Sequence, residues 1–223
     1  MLFAAGFGTR MGDLTKTRPK PLVPVGGRPL VDYALDVAAG AGVSQIVANT
    51  HYLADQVADH LAPKGVLIAH EAPDVLETGG GLRHALPLLQ ADPVFTLNSD
   101  AVWLGRNPLT ALAGAWNPET MDALLLLTPT DTAVAHKGTG DFELNREGRI
   151  RRGQTYTYTG AQIIRTNGLA AIPEKVFSLN LLWDMMIGRG RLYGLVYNGT
   201  WCDVGTAAAI KTAENLLLEN RDA

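Results

Sequence analysis

Ala4-Ala5-Gly6-Phe7-Gly8-Thr9-Arg10-Met11, continued by Arg18-Pro19-Lys20-Pro21-Leu22, decides how this chain folds. Residues 2–5 are apolar and read as a buried strand, and a glycine loop follows at once. Glycine lets consecutive backbone N–H groups approach an anion closely and form a phosphate nest. Arg10 and Lys20 would bring positive charge to such a site. Pro19 and Pro21 bracket Lys20 and restrict the backbone that carries it. The Gly-Lys-Ser/Thr of a Walker loop does not occur. Met11 stands where a dinucleotide-binding fingerprint needs its third glycine. Taken alone, the segment reads either as a phosphate loop or as a turn with solvated charges.

Beyond the loop, short apolar runs alternate with helix-period stretches. Residues 46–49, 66–69, 94–97 and 123–127 predict strands. Residues 29–41, 53–61 and 81–89 predict helices, with Pro29 in the first turn of one and Gly42 just past its end. This alternation predicts right-handed β-α-β units: an α/β, Rossmann-like, mostly parallel sheet sandwiched by helices. The pattern changes after about residue 130. Residues 142–144, 150–152 and 155–164 predict strands joined by short turns, which form a small, partly antiparallel lid over one end of the sheet. A helix over 173–187, a strand over 192–197 and a closing helix over 206–218 complete the chain. Residues 1–223 are expected to form a single domain with an inserted substrate-binding half.

Composition agrees with a packed domain. Of 223 residues, 47% are hydrophobic and 18% charged, a balance that argues against disorder. The formal net charge of −3 gives no global attraction to nucleic acid or to an anionic membrane, so any phosphate site must be local. No apolar run approaches the roughly 20 residues needed to span a bilayer, and the opening residues are too short before Gly6 for a signal peptide. Cys202 is the only cysteine, which suits a reducing cytoplasm and reads as a small packed hydrophobe. The histidines at 51, 60, 70, 84 and 136 show no paired ligand spacing, and no zinc is expected.

Further motifs follow in order. Glu77-Thr78-Gly79-Gly80-Gly81-Leu82 opens a helix and reads as a cap or as a glycine loop facing a ligand. Asp100 ends an apolar strand, on the side where α/β sheets carry their ligand crevice. Gly138-Thr139-Gly140-Asp141-Phe142 reads as a strand-end turn and Tyr158-Thr159-Gly160-Ala161-Gln162 as a sheet edge. Asp203, in Trp201-Cys202-Asp203-Val204-Gly205-Thr206, precedes a helix, where an aspartate is often only a cap.

The string Ala4-Ala5-Gly6-x-Gly8-Thr9-Arg10-Met11, then Pro19-Lys20-Pro21-Leu22-x-Pro24-Val25, then Gly27-x-Pro29-Leu30 resembles the signature of the sugar-1-phosphate nucleotidylyltransferases. The later motifs extend the resemblance over essentially the whole chain. It implies the nucleotide-diphospho-sugar transferase fold, with residues 1–130 as a nucleotide-binding half and residues 131–223 as a sugar-binding half plus closing helix. It implies that Ala5, Gly6, Gly8, Thr9, Arg10 and Lys20 wrap a triphosphate, and that Glu77, Thr78, Gly79 and Gly80 contact the base. Gly140, Asp141 and Gly160 would face the sugar. Asp100 and Asp203 would hold one Mg²⁺, and Arg10, Lys20 and Asp100 would carry catalysis. Small molecules would be the partners: a nucleoside triphosphate, with UTP favoured, and a sugar-1-phosphate. Neither nucleic acid nor membrane is expected, and a cytoplasmic monomer is.

A guanylyltransferase using mannose-1-phosphate and a non-catalytic nucleotide-sugar-binding module are the alternatives. The second would be expected to have lost the phosphate or metal residues. The chain departs from the family pattern in one place. Many relatives carry Glu-Lys-Pro, whose lysine meets the sugar phosphate, where this chain reads Gly148-Arg149-Ile150-Arg151-Arg152. Those arginines are either a substitute anchor or a solvated basic face.

Overall fold

The computed structural model describes residues 1–220, so residues 221–223 of the expected domain lie outside the described residues. The chain opens with strand β1 (Leu2–Phe3), the glycine loop, and 3₁₀ turns over Thr9–Thr15 and Lys20–Leu22. A small hairpin, β2 (Pro24–Val25) and β3 (Arg28–Pro29), leads into helix α1 (Leu30–Gly40). Then come β4 (Val47–Thr50), α2 (Ala54–Leu61), β5 (Leu67–His70), α3 (Glu77–Leu89), β6 (Val94–Asn98), β7 (Ala101–Leu104), α4 (Pro108–Ala115) and β8 (Ala123–Pro129). The remainder holds β9 (Phe142–Leu144), β10 (Ile150–Arg152), β11 (Tyr156–Ile164), α5 (Asn180–Gly188), β12 (Leu192–Val196), β13 (Thr200–Asp203) and α6 (Ala207–Glu219).

The main sheet runs β12–β8–β11–β6–β1–β4–β5. Within that path only β11 is antiparallel to its neighbours. The β9–β10 hairpin joins through the pair Tyr156 and Phe142. The expected mostly parallel sheet with a small antiparallel addition is thus present. Its centre follows from β8, whose residues Ala123-Leu124-Leu125-Leu126-Leu127 are all at most 2% exposed. A strand apolar at every position needs cover on both faces. Leu125 and Leu127 point into a core with Leu82 and Ala85 of α3 and Leu182 and Trp183 of α5. Leu124 and Leu126 point the other way, into a core with α1, α2 and α4. The alternation is the period-two geometry of a strand. A third cluster seats α6 against Met11, Val25, Val102 and Val204.

Phe142 ties the β9–β10 hairpin to α5. It is fully buried, and its ring meets Trp183 edge-on at 5.9 Å. Phe142→Ala is expected to lower unfolding free energy by about 3–5 kcal/mol, measured by urea denaturation. A loss under about 1 kcal/mol would show that the hairpin is not anchored there.

The structure corrects several expected boundaries. The helix placed at residues 173–187 begins only at Asn180. The preceding stretch is a strap whose Phe177 carbonyl accepts the N–H groups of Gly79 and Gly80. Helix α3 starts at Glu77, four residues before the expected Gly81, and takes three consecutive glycines into its first turns. Those glycines are forced by packing. A Cβ on Gly79 would lie 2.3 Å from the Phe177 ring, and one on Gly80 2.6 Å from the Lys175 carbonyl. Strands β7 and β13 and helix α4 were not foreseen. β7 resumes just past Asp100 and pairs antiparallel with β13. α4 is opened by Asn107, whose side chain accepts the N–H groups of Leu109 and Thr110, and by Pro108 in the first turn.

Candidate active site

A cavity of about 360 Å³ opens beyond the carboxyl ends of β1, β4 and β6, the usual place for a ligand in such a sheet. Ala5, Gly6, Gly8, Thr9, Arg10 and Lys20 line one side of it. Glu77 and Thr78 line another, and Asn98, Ser99, Asp100 and Gly205 complete it. Residues distant in the chain are thereby brought together.

The glycine loop has a defined shape. Gly8 has φ of 66°, a conformation that disfavours other residues. It also packs so tightly that a Cβ there would lie 2.8 Å from the Lys20 Cβ. The Gly8 carbonyl accepts the Met11 N–H at 2.9 Å and the Thr15 hydroxyl at 3.0 Å. Lys20 sits in its own 3₁₀ turn with Pro19 extended before it. Its Nζ donates to Asp100 Oδ2 at 2.5 Å, with side-chain exposures of 12% and 27%. A pair held this far from water interacts more strongly than a surface ion pair.

Asp203 reaches the same place through β13. It lies opposite Ala101, and the N–H of Val204 donates to the Asp100 carbonyl at 2.8 Å. The two aspartates therefore stand at abutting strand ends. Asp203 Oδ2 meets His136 Nδ1 at 3.1 Å. Gly205 leaves room for Arg10, since a Cβ there would lie 2.9 Å from Asp203 Oδ1 and 3.0 Å from Arg10 Nη1. Two carboxylates with room for phosphate beside them are an oxygen donor set suited to a hard divalent cation. Among the described residues, no group of three or more His, Cys, Asp or Glu side chains converges on one point.

Other expected site residues lie elsewhere or are already engaged. Gly79 and Gly80 line no part of the cavity. Their N–H groups go to the Phe177 carbonyl at 2.9 and 3.0 Å, so neither is free to meet a base. Thr78 remains at the cavity wall, with its hydroxyl accepting the Leu179 N–H. Gly140 and Asp141 form the turn that starts β9. The Asp141 carboxylate accepts the Tyr158 N–H at 2.8 Å, and a Cβ on Gly140 would strike the Gln154 carbonyl. Asp141 is thus held against β11 and Gly140 against Gln154, and neither lines the cavity. Gly160, at φ 85°, packs directly against the cavity-lining Asn98. The arginine-rich strand is also engaged: Arg149 with Tyr193 and Glu147, Arg151 with Glu143, and Arg152 with Asp184. None lines the cavity, which favours the reading as a basic outer face.

The sequence reading missed His136, which it counted among histidines without paired ligand spacing. A hint lay in Gly138, where any side chain would collide with the His136 ring. Burial, with Asp203 alongside, pushes the Cys202 thiol up to about 11, which keeps it protonated and unreactive.

The crevice of the mostly parallel sheet thus carries a glycine loop and a lysine paired with an aspartate, with a second aspartate at the abutting strand end. The sequence profile of the MobA-like NTP transferase domain matches residues 1–140, and the chain belongs to that family. It is 40% identical to an N-acetylmuramate alpha-1-phosphate uridylyltransferase from Caulobacter vibrioides, over 98% of this chain and 96% of that protein. A protein of the same description from Neisseria meningitidis is 34% identical over 97% and 96% of the two chains. A mannose-1-phosphate guanyltransferase from Debaryomyces hansenii is 28% identical, over 92% of this chain and 60% of that protein. The fold matches that of a putative glucose-1-phosphate thymidylyltransferase from Bacillus anthracis, with TM-score 0.79, 19% identity and coverage of 96% and 93%. Among the described residues, no helix is long and apolar enough to cross a membrane.

Proposed function

We propose that this enzyme transfers the uridylyl group of UTP to N-acetylmuramate-1-phosphate, giving the UDP-sugar and pyrophosphate, a step of peptidoglycan recycling in the cytoplasm. The reading of the reaction type is supported by Arg10, Lys20 and Asp100 lining one cavity, with Asp203 close to Arg10 across Gly205. The choice of substrates rests on similarity to the two uridylyltransferases across nearly their whole length. A non-catalytic binding module would not need those four charged side chains in one place.

Chemically, an oxygen of the sugar phosphate attacks the α-phosphorus in line, and the bond from that phosphorus to the β-phosphate bridge oxygen breaks. The nucleophile is already an anion, so no general base is required. Catalysis is then positioning and charge neutralisation. The glycine loop offers backbone N–H groups to the phosphates. Lys20 and Arg10 balance the triphosphate and the charge that builds on the departing pyrophosphate. Asp100 and Asp203 would hold Mg²⁺, which when bound supplies the charge that lets two anionic phosphates approach. Residues 1–130 form the nucleotide half in this reading and the remainder the sugar half.

Pyrophosphate release over a grid of triphosphates and sugar-1-phosphates tests the assignment. UTP with N-acetylmuramate-1-phosphate is expected to give the highest kcat/KM, by about tenfold or more over other combinations. A preference for GTP with mannose-1-phosphate would transfer the protein to the guanylyltransferases.

A further inference from the structure

Beneath the cavity lies a buried carboxylate that the reaction does not use. Glu71 is 1% exposed, directly after β5. Its Oε1 accepts the Asn49 Nδ2 at 2.7 Å, and its Oε2 accepts the Leu76 N–H at 2.7 Å. Asn49, 3% exposed near the end of β4, borders the cavity floor and turns its Oδ1 to the Ala4 N–H at 2.8 Å. A continuous bridge therefore runs from Ala4 through Asn49 and Glu71 to Leu76. Each end of it is the root of a cavity wall. Ala4 is followed by Ala5 and Gly6 of the glycine loop, and Leu76 by Glu77 and Thr78. A second link runs alongside. His51 Nδ1 meets the Glu71 carbonyl at 2.9 Å, and the Phe7 ring of the glycine loop sits edge-on to His51 at 5.4 Å.

Packing makes this bridge a dedicated feature. A Cβ on Gly81 would lie 2.5 Å from Glu71 Oε1 and 2.9 Å from Asn49 Nδ2, so the third glycine of α3 is the space in which the bridge sits. A buried carboxylate is costly unless its oxygens are satisfied, and here both are. An apolar pair in the same space would leave the Ala4 and Leu76 N–H groups without acceptors, so the bridge fixes where these two backbone segments lie. We infer that Asn49 and Glu71 are positioning residues that set the spacing between the glycine loop and the Glu77–Thr78 wall, and so tune affinity for the nucleotide and not for the sugar phosphate. The inference rests on reading this cavity as the nucleotide site, and any triphosphate that the enzyme turns over serves as its probe.

The donor–acceptor pattern supplies a specific test. In Asn49→Asp, two carboxylates face each other. In Glu71→Gln, one amide oxygen must serve two donors. Either change leaves a buried polar mismatch. The double variant Asn49→Asp/Glu71→Gln restores the pattern, because the new amide donates to the new carboxylate while Ala4 and Leu76 keep their acceptors. Binding of UTP with Mg²⁺ by calorimetry, together with both KM values at 25 °C, is the readout. Each single variant is expected to weaken UTP by about tenfold, with the KM of the sugar phosphate within about twofold. The double variant is expected to recover most of the loss, the non-additivity of groups in direct contact. If Asn49→Asp fails to fold, Asn49→Ser removes the bridge without adding a charge and must weaken UTP selectively. Unchanged UTP affinity beside a lowered melting temperature would reduce the bridge to a stability role and overturn the inference alone. Weakened sugar-phosphate affinity with UTP unaffected would overturn it together with the nucleotide assignment of the cavity.

Discussion

Asp100→Asn and Asp203→Asn are each expected to cut turnover by about 10²–10³-fold while leaving the melting temperature within a few degrees of the parent. Asparagine keeps the size and shape of aspartate and removes its charge, so the change is chiefly electrostatic. Both positions sit where β7 and β13 abut, held by the bond from the Val204 N–H to the Asp100 carbonyl. That bond is made by backbone and survives either substitution. The lost charge has two consequences. On the proposed reading, a hard cation would keep one anionic protein ligand of two and would be held less tightly beside the phosphates. In Asp100→Asn, Lys20 also loses the partner at 2.5 Å that aims its ammonium. Asp203→Asn spares Lys20 and instead weakens the link to His136. The two variants should therefore share a raised half-saturating Mg²⁺ concentration, and only Asp100→Asn should also disturb Lys20. Steady-state pyrophosphate release across a Mg²⁺ titration separates these effects. Turnover near that of the parent in either variant would remove that aspartate from the metal pair.

Much of this was readable in the chain because it is local. The run from Ala123 to Leu127 is apolar at every position, so a strand covered on both faces follows from the residues alone. The stretch from Gly6 to Lys20 carries its own loop geometry in Gly8 and its own rigidity in Pro19 and Pro21. Features that depend on distant partners were not readable. β7 and β13 are four residues each and become strands only by pairing with one another. Helix α3 starts before the expected residue 81 and takes in three glycines, which are poor helix formers. Their reasons lie across the fold, in Phe177, Lys175 and Glu71. Gly140 and Asp141 show the reverse error. A glycine followed by an aspartate at a strand end looks the same whether it faces a ligand or its own neighbouring strand, and here the carboxylate caps Tyr158. The arginines at 149, 151 and 152 look free in the sequence because Glu143, Asp184 and Tyr193 reach them only after folding.

Lys20→Met is expected to slow the chemical step by about 10²–10³-fold while changing affinity for the free sugar-1-phosphate by no more than a few-fold. Methionine retains most of the unbranched stem, which matters because that stem packs on Gly8, where even a Cβ would lie 2.8 Å away. The substitution removes the ammonium and leaves the loop its neighbour. Lys20 stands on the glycine-loop side of the cavity, so on the proposed reading its charge would follow the triphosphate and be needed most as pyrophosphate departs. Interactions that strengthen only as charge develops lower kcat more than they raise KM. Arg10→Met should act in the same sense and more weakly, because Arg10 is more exposed than Lys20 and water screens its charge. One complication is the freed Asp100 carboxylate, which adds a negative charge beside the phosphates. Lys20→Met/Asp100→Asn separates the terms. If the ammonium acts on the triphosphate directly, the double variant is slower than either single variant. If Lys20 serves only to neutralise Asp100, the double variant is no slower than Asp100→Asn alone. Single-turnover rates with saturating UTP, set beside equilibrium binding of the sugar-1-phosphate, decide between them. A loss confined to sugar-phosphate affinity would place Lys20 on the acceptor and reverse the assignment of the two halves of the cavity.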